Sequence, residues 1–239
     1  MDLLVRRNRD MVMAKRRTNR VREEAAAYGT RVSGIVVMPW STLDAGGRHM
    51  VKLRAKAKSN SHALQKAGIP HAVVGGLSVA AHVASVDESA VRNTRDLDIL
   101  LNRRDLNRAA EALKPLGYQH RKGMGISAFL LSLESGRRSR FGEGVHVVFA
   151  GERVRPEHVC PASALTEDAA VLTPEGYACL SVRDLACMKL TGFRLKDQVH
   201  IQDLLEAKLI TRKIKESLPP ELRTRLKQIE AATERERLG

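Results

Sequence analysis

The stretch Arg92-Asn93-Thr94-Arg95-Asp96-Leu97-Asp98-Ile99-Leu100-Leu101 constrains this chain more than any other. It sets two carboxylates two residues apart, with apolar residues between and after them. Alternate side chains of a strand point to the same face. Asp96 and Asp98 are therefore expected on one face, and Leu97 and Ile99 on the other. Like charges placed that way repel, and Asp is a poor strand former. Two readings fit these residues. In one, a divalent cation between the carboxylates removes the cost. Mg²⁺ suits that role, because it keeps most of its waters and takes one or two carboxylates plus substrate phosphates. In the other, the strand starts late and both Asp residues lie in a solvated turn.

Composition narrows the classes open to the chain. Its 239 residues suit one domain, or one domain with a small appendage. Apolar residues make up 43% and aromatics only 3%, so the core is expected to be mostly Leu, Val, Ala and Ile. No apolar run is long enough to cross a bilayer, so no membrane partner is expected. The basic N-terminus lacks the apolar block of a secretory signal, and Asp2, Asp10, Glu23 and Glu24 argue against an Arg-rich organellar presequence. Cys160, Cys179 and Cys187 form no C-x-x-C pair, which fits free thiols in a reducing cytoplasm. No His/Cys spacing suggests zinc. The net charge of +14 favours a polyanionic partner, either nucleic acid or the phosphates of a nucleotide. It equally fits a soluble basic protein, since no stacking aromatics are interleaved with the basic residues.

Three regions are expected: a basic, poorly ordered extension over 1–50, a core over 51–180 and a helical region over 181–239. Residues 1–22 carry eight Arg and Lys against two Asp, with poor apolar periodicity. Residues 28–50, which hold the single Trp40, read as a linker with one strand around Ile35–Met38. A helix is expected over 51–67, stopped by Gly68, followed by a strand over 71–74. Gly75-Gly76 ends that strand and a helix over 77–84 follows. A strand, a double glycine and a helix suit phosphate, because the backbone can be approached closely and the helix N-terminus offers free N–H groups. Further on, a helix is expected over 105–113, then strands over 118–121, 127–133 and 145–149, with a charged turn over 134–144. A strand signal lies at 169–172. Ser181 and Asp184 form a variant capping box that opens a helix to about Gly192. Helices over 196–209 and from Glu221 to about Arg237 complete the chain, the last highly charged and expected to pack loosely.

Taken together, the strand-Gly-Gly-helix and the R-x-T-x-D-x-D run resemble the minimal nucleotidyltransferases of the DNA polymerase beta-like superfamily. The likeness is strongest to the branch containing the abortive-infection nucleotidyltransferase toxins. Gly75 and Gly76 match the double glycine, and Arg92, Thr94, Asp96 and Asp98 match the acidic motif. Lys189-Leu190, Arg194 and Lys196-Asp197 resemble that branch's downstream element. The resemblance covers roughly residues 55 to 210. It implies an α/β (α+β) fold, a mixed sheet flanked by helices. It also implies transfer of a nucleotidyl group from a nucleoside triphosphate to an acceptor hydroxyl, on RNA such as tRNA or on protein. Two metals, Mg²⁺ or Mn²⁺, hold the attacking and leaving oxygens in such transfers. On this resemblance Asp96 and Asp98 are the metal ligands. Gly75, Gly76 and Ser78, with Thr94, cradle the triphosphate. Lys189 supplies positive charge to the phosphates from an exposed position, so its loss is expected to leave stability almost unchanged. Arg92 pairs with phosphate or braces the acidic strand. Asp197 is an acid–base or orienting group, or pairs with Lys189 or Arg194. A toxin-type enzyme also implies a neutralising partner protein.

The chain departs from the pattern where many relatives carry a third carboxylate. His146 stands at that place, in Val145-His146-Val147-Val148-Phe149, and His200 sits where some relatives have an acid; each also reads as an ordinary surface or core histidine. Imidazole is a poorer match for Mg²⁺ than carboxylate. Two further readings therefore stand beside the enzyme. One is a catalytically impaired module that keeps the fold and binds nucleotide or nucleic acid. The other is an interaction protein whose basic arm docks on RNA or an acidic partner.

Overall fold

The computed structural model describes residues 30–32, 35–37, 45–123, 125–132 and 143–238. The arm over 1–22, Trp40 and nearly all of the charged turn over 134–144 lie outside the described residues. The chain divides into two compact units, Met1–His49 and Met50–Gly239. In the first, β1 (Thr30–Val32) and β2 (Ile35–Val37) pair antiparallel, two strands where one was expected.

The second unit is built on a mixed sheet of seven strands. These are β3 (His71–Val74), β4 (Leu97–Leu101), β5 (Tyr118–Gly123), β6 (Ile126–Leu131), β7 (Val145–Phe149), β8 (Ala170–Leu172) and β9 (Ala178–Leu180). Their order across the sheet is β5-β6-β7-β4-β3-β9-β8. β4 runs parallel to β7 and antiparallel to β3, and β3 runs parallel to β9. The helices are α1 (Ala45–Lys66), α2 (Gly75–Ala84), α3 (Leu106–Leu113), α4 (Val182–Gly192), α5 (Leu195–Glu206), α6 (Arg212–Ser217) and α7 (Pro220–Leu238). None of the helices described is long and apolar enough to cross a membrane.

Period two sorts the central strands between two cores. Leu97, Ile99 and Leu101 of β4, with Val73, Val145 and Val147, pack with Leu53, Leu64 and Leu113 of α1 and α3. Leu100, with Ala72 and Val74, packs with Leu185, Leu190, Ile201 and Leu204 of α4 and α5. Asp98 lies between Leu97 and Ile99, so it shares the second face with Leu100. In register it stands beside Val74 on β3 and His146 on β7. One carboxylate and one imidazole thus interrupt an otherwise apolar face, at its boundary with α4.

Several boundaries differ from the sequence reading for local reasons. β4 begins at Leu97, leaving Asp96 just outside the ladder. α2 begins at Gly75 itself, with no intervening loop. Gly75 has φ +73°, a left-handed turn that sends the chain from strand to helix in one step. α7 does not pack loosely. Leu222, Leu226 and Ile229 are buried, and the Arg225 guanidinium donates to the carbonyls of Leu190 (2.7 Å) and Thr191 (2.9 Å). That bond closes the C-terminus of α4, whose orphan carbonyls would otherwise lack donors. The strand Ala178–Leu180 and the short helix α6 had not been expected.

Candidate functional site

The cleft at the α4 edge of the sheet has a volume of about 540 Å³. Gly75 and Val74, Asp98, His146, and the α4–α5 groups Lys189, Gly192, Arg194 and Asp197 all line it. Residues more than a hundred positions apart in the chain meet here, because β3 and β4 are neighbours and α4 crosses their ends.

At the sheet side, Asp98 is 27% exposed, and His146 Nδ1 lies 3.2 Å from its Oδ1, a hydrogen bond when that nitrogen carries the proton. Its other oxygen lies against Gly75, where any Cβ would overlap it. Gly75 is therefore required twice, by its positive φ and by the carboxylate beside it. Gly76 is packed from the opposite direction, since a Cβ there would come within 2.6 Å of Thr94 Oγ1 and 3.4 Å of His200 Cε1.

At the helix side, Lys189 is only 9% exposed and donates to Asp197 Oδ1 at 3.1 Å. Arg194 donates from Nε to Asp197 Oδ2 at 2.7 Å and from its terminal nitrogen to Oδ1 at 3.2 Å. The Asp197 carboxylate also accepts the Arg194 backbone N–H at 3.3 Å, closing the first turn of α5. Gly192 makes room for it, since a Cβ there would meet Asp197 Oδ2 at 2.8 Å. Burial by itself would raise the Asp197 pKa, but the Arg194 hydrogen bond and the Lys189 and Arg194 charges outweigh it and hold the pKa low. Burial pushes the Lys189 pKa down, opposed by Asp197. Both directions hold together because Asp197 serves two cations, whereas Lys189 shares one anion with Arg194. The expectation of an exposed Lys189 is thus corrected. Its stem is enclosed, and its removal affects packing as well as charge.

The remaining candidates lie around this centre rather than in it. Asp96 is 40% exposed, and Lys196 Nζ on α5 lies 3.8 Å from its carboxylate. Arg92 braces the segment before β4, its Nε donating to Asp203 Oδ1 on α5 at 2.7 Å. Ser78 is fully buried and is not on the cleft wall. Among the described residues, the buried Ser78 and Thr94 hydroxyls and His200 Nδ1 have no hydrogen-bond partner. Burial, then the Lys189 and Lys196 charges, lower the His200 pKa to about 4. Lys196, Asp197, His200 and Asp203 recur along α5 and turn one polar stripe toward the acidic segment, α4 and the Gly75-Gly76 turn.

Sequence reasoning missed Gly192, Met188, Val154, Arg155, His158 and Asp203. Gly192 looked like an ordinary helix stop. Asp203 falls three residues after His200 and seven after Lys196, both at helical spacing, a signal that was present and unused. The loop residues Val154, Arg155 and His158 carry no periodic signal.

Among the described residues no cluster of three or more His, Cys, Asp or Glu side chains forms a metal cage. With Asp197 tied to Lys189 and Arg194, the donor set is Asp98 in the cleft and a second carboxylate, Asp96, in the segment leading to it. That set fits a Mg²⁺-type ion that draws the rest of its shell from waters and ligand phosphates.

Residues 47–158, a little under half of the chain, match the model of a family described as "Uncharacterised nucleotidyltransferase". That match supports nucleotidyl transfer in general terms. No curated protein matches the chain. Among solved structures, an antigenic nucleotidyltransferase-like protein from Paracoccidioides brasiliensis is similar at 17% identity and a TM-score of 0.47, over 74% of this chain and 86% of that one. The antibiotic-resistance factor ANT(2″)-Ia is similar at 14% identity and a TM-score of 0.42, over 82% of this chain and 97% of that one. Its complex with adenylyl-2″-tobramycin is similar at 12% identity and a TM-score of 0.38, over 79% and 99%.

Proposed function

We propose that this chain is a nucleotidyltransferase that moves a nucleotidyl group from a nucleoside triphosphate to an acceptor hydroxyl. The observation that carries the proposal is the meeting of Gly75, Asp98, Lys189 and Arg194 around one cleft. A triphosphate needs close backbone approach, cations and a carboxylate to hold its metal, and these four supply each of them. Gly75 lets the phosphates approach the start of α2, whose free N–H groups favour anions. Lys189, held by Asp197, presents a fixed positive charge, and Arg194 presents a second. Asp98, with Asp96, would hold Mg²⁺ or Mn²⁺, which supplies charge neutralisation at the phosphates. Gly76 and Thr94 pack behind the turn and keep Gly75 in place. The finer assignment, to a toxin-type enzyme with a neutralising partner protein, rests on the resemblance of Lys189, Arg194, Lys196 and Asp197 to that branch's downstream element, and a cytoplasmic place rests on the free cysteines.

A second reading has one observation in its favour. His146 occupies the strand position beside Asp98, and it offers imidazole where a third carboxylate would complete a two-metal site. A chain of this kind would bind nucleotide without transferring it. Calorimetry with MgATP and MgGTP, followed by labelled-nucleotide transfer to total RNA and total protein, separates the readings. An Asp98→Asn variant is expected to lose metal-dependent nucleotide binding or to slow transfer by on the order of a hundredfold to a thousandfold. Unchanged metal-dependent binding and transfer in that variant would remove Asp98 from the site. Binding without transfer to any acceptor would favour the second reading.

A further inference from the structure

A second cavity of about 270 Å³ adjoins the cleft and shares Gly125, Val147, Val148 and Val154 with it. It extends the cleft across β7 toward β5, the edge strand that carries Lys122. Its charged lining is Arg103, Lys122, Glu152 and Arg153. These four are not equivalent. Arg103 donates to both oxygens of Glu152, at 2.6 Å and 2.5 Å, and its guanidinium lies 3.7 Å from the centre of the Phe149 ring. The acid is thereby neutralised and the arginine is held flat on the floor. Lys122 and Arg153 are exposed and have no hydrogen-bond or ion-pair partner among the described residues.

Of the acids of the main cleft, Asp197 is engaged by Lys189 and Arg194, and Asp98 is the one that would face a metal ion. The continuous surface therefore ends in two cations with no internal counter-charge. A cationic acceptor would meet like charge there, whereas an anionic one would be drawn in. The cavity has room for about one nucleotide unit, and its floor offers a guanidinium-covered ring rather than an open aromatic face. Charge, not base stacking, is what this floor presents.

We infer that the second cavity is the acceptor subsite and that it takes the phosphodiester backbone of a nucleic-acid strand, held by Lys122 and Arg153, so that a hydroxyl of that strand reaches the main cleft. Naming the strand an acceptor rests on the nucleotidyl-transfer reading; its binding does not.

The test uses the full chain and the double variant Lys122→Ser/Arg153→Ser. Fluorescence anisotropy is read with a short single-stranded oligoribonucleotide and its deoxy counterpart, over a range of salt concentrations. The double variant is expected to bind either strand on the order of tenfold more weakly. Its log–log salt slope should fall by about 1.4, the sum of two single-strand phosphate contacts. Basic residues of the first unit contribute equally to both proteins, so the difference reads the cavity. Melting temperature is expected to stay unchanged, because both side chains are exposed. A binding curve and salt slope identical to wild type would overturn the inference. So would displacement of either strand by poly-L-glutamate at matched charge, which would point to an acidic protein segment instead. MgATP calorimetry on the same variants keeps the two proposals apart. Strand binding that depends on Lys122 and Arg153 in a protein that binds no nucleotide would leave the subsite standing and sink the enzyme.

Discussion

At the helix side of the cleft, Lys189, Asp197 and Arg194 satisfy one another inside the protein. At the sheet side, Asp98 is left partly open, with His146 Nδ1 at 3.2 Å and the left-handed turn of Gly75 against it. The first arrangement is a buried ion group that fixes structure, and with one carboxylate between two cations it keeps a net positive charge at the cleft. The second keeps lone pairs available, and repulsion and hydration there are settled only when a ligand arrives. The helix side is therefore expected to weigh on folding as well as on ligand charge, and the sheet side on ligand binding.

The widest separation between the two should come from Asp197→Ala. It leaves Lys189 buried without its counter-charge, and removal of one partner of a buried pair costs on the order of 3–5 kcal/mol. Arg194, 65% exposed on its side chain, can turn to water, so the lower part of that range is expected. Denaturant melts should show the loss directly. Asp98→Asn should leave the same melts almost unmoved while removing metal-dependent nucleotide binding. If Asp98→Asn proved as destabilising as Asp197→Ala, the contrast between an open and a closed end would fail.

The pH dependence sharpens the comparison at His200, which lies on α5 between the two ends. Its pKa is lowered to about 4 by burial and then by Lys189 and Lys196. A base with a depressed folded-state pKa is neutral when folded and binds a proton first when unfolded. Stability is therefore full above the ordinary histidine value of about 6.5 and is lost as pH falls from there toward 4. The full difference corresponds to about 3 kcal/mol. His71 and His82, also pushed down by burial, contribute in the same direction. Melts of wild type and His200→Gln from pH 7 to pH 4.5 should converge as pH falls. Parallel curves would mean that His200 titrates normally.

How much of this was legible in the sequence follows from how local each signal is. The central strands were readable because His71–Val74 and Val145–Phe149 are short apolar runs between breakers, and their bounds coincide with β3 and β7. The Ser181 cap was readable because its partner Asp184 lies three residues away, and the hydroxyl does accept that N–H at 3.3 Å. Whether Lys189 is buried was not readable. That depends on α5 folding back so that Asp197 meets it, eight positions on but around a left-handed turn at Phe193. Asp96 and Asp98 look equivalent as a pair, yet only Asp98 reaches the cleft wall, because β4 begins at Leu97 and its ladder with β3 begins at Asp98 itself. The adjoining cavity was illegible because its walls join residues of β5, β6 and β7 to Arg103 after β4 and to the 152–154 loop after β7, which sheet order and loop path bring together.

The smallest effect should be seen at Arg92. Its guanidinium is 60% exposed while Asp203, its partner, is 7% exposed. The hydrogen bond and the Asp203 charge hold the Arg92 pKa above its ordinary value. Exposed ion pairs contribute up to about 1 kcal/mol, and water can replace the arginine at an open edge. Arg92→Ala is therefore expected to lower stability by no more than about that amount, and high salt should weaken the wild-type pair and shrink the difference. The contact has a second consequence, because it ties the segment leading into β4 to α5, the helix that carries Asp197. If that tie aligns the open end with the closed one, Arg92→Ala should weaken MgATP binding more than its small stability loss accounts for, and Arg92→Lys should restore part of it. Equal nucleotide binding in wild type and Arg92→Ala would show that the two ends are held in register by the sheet alone.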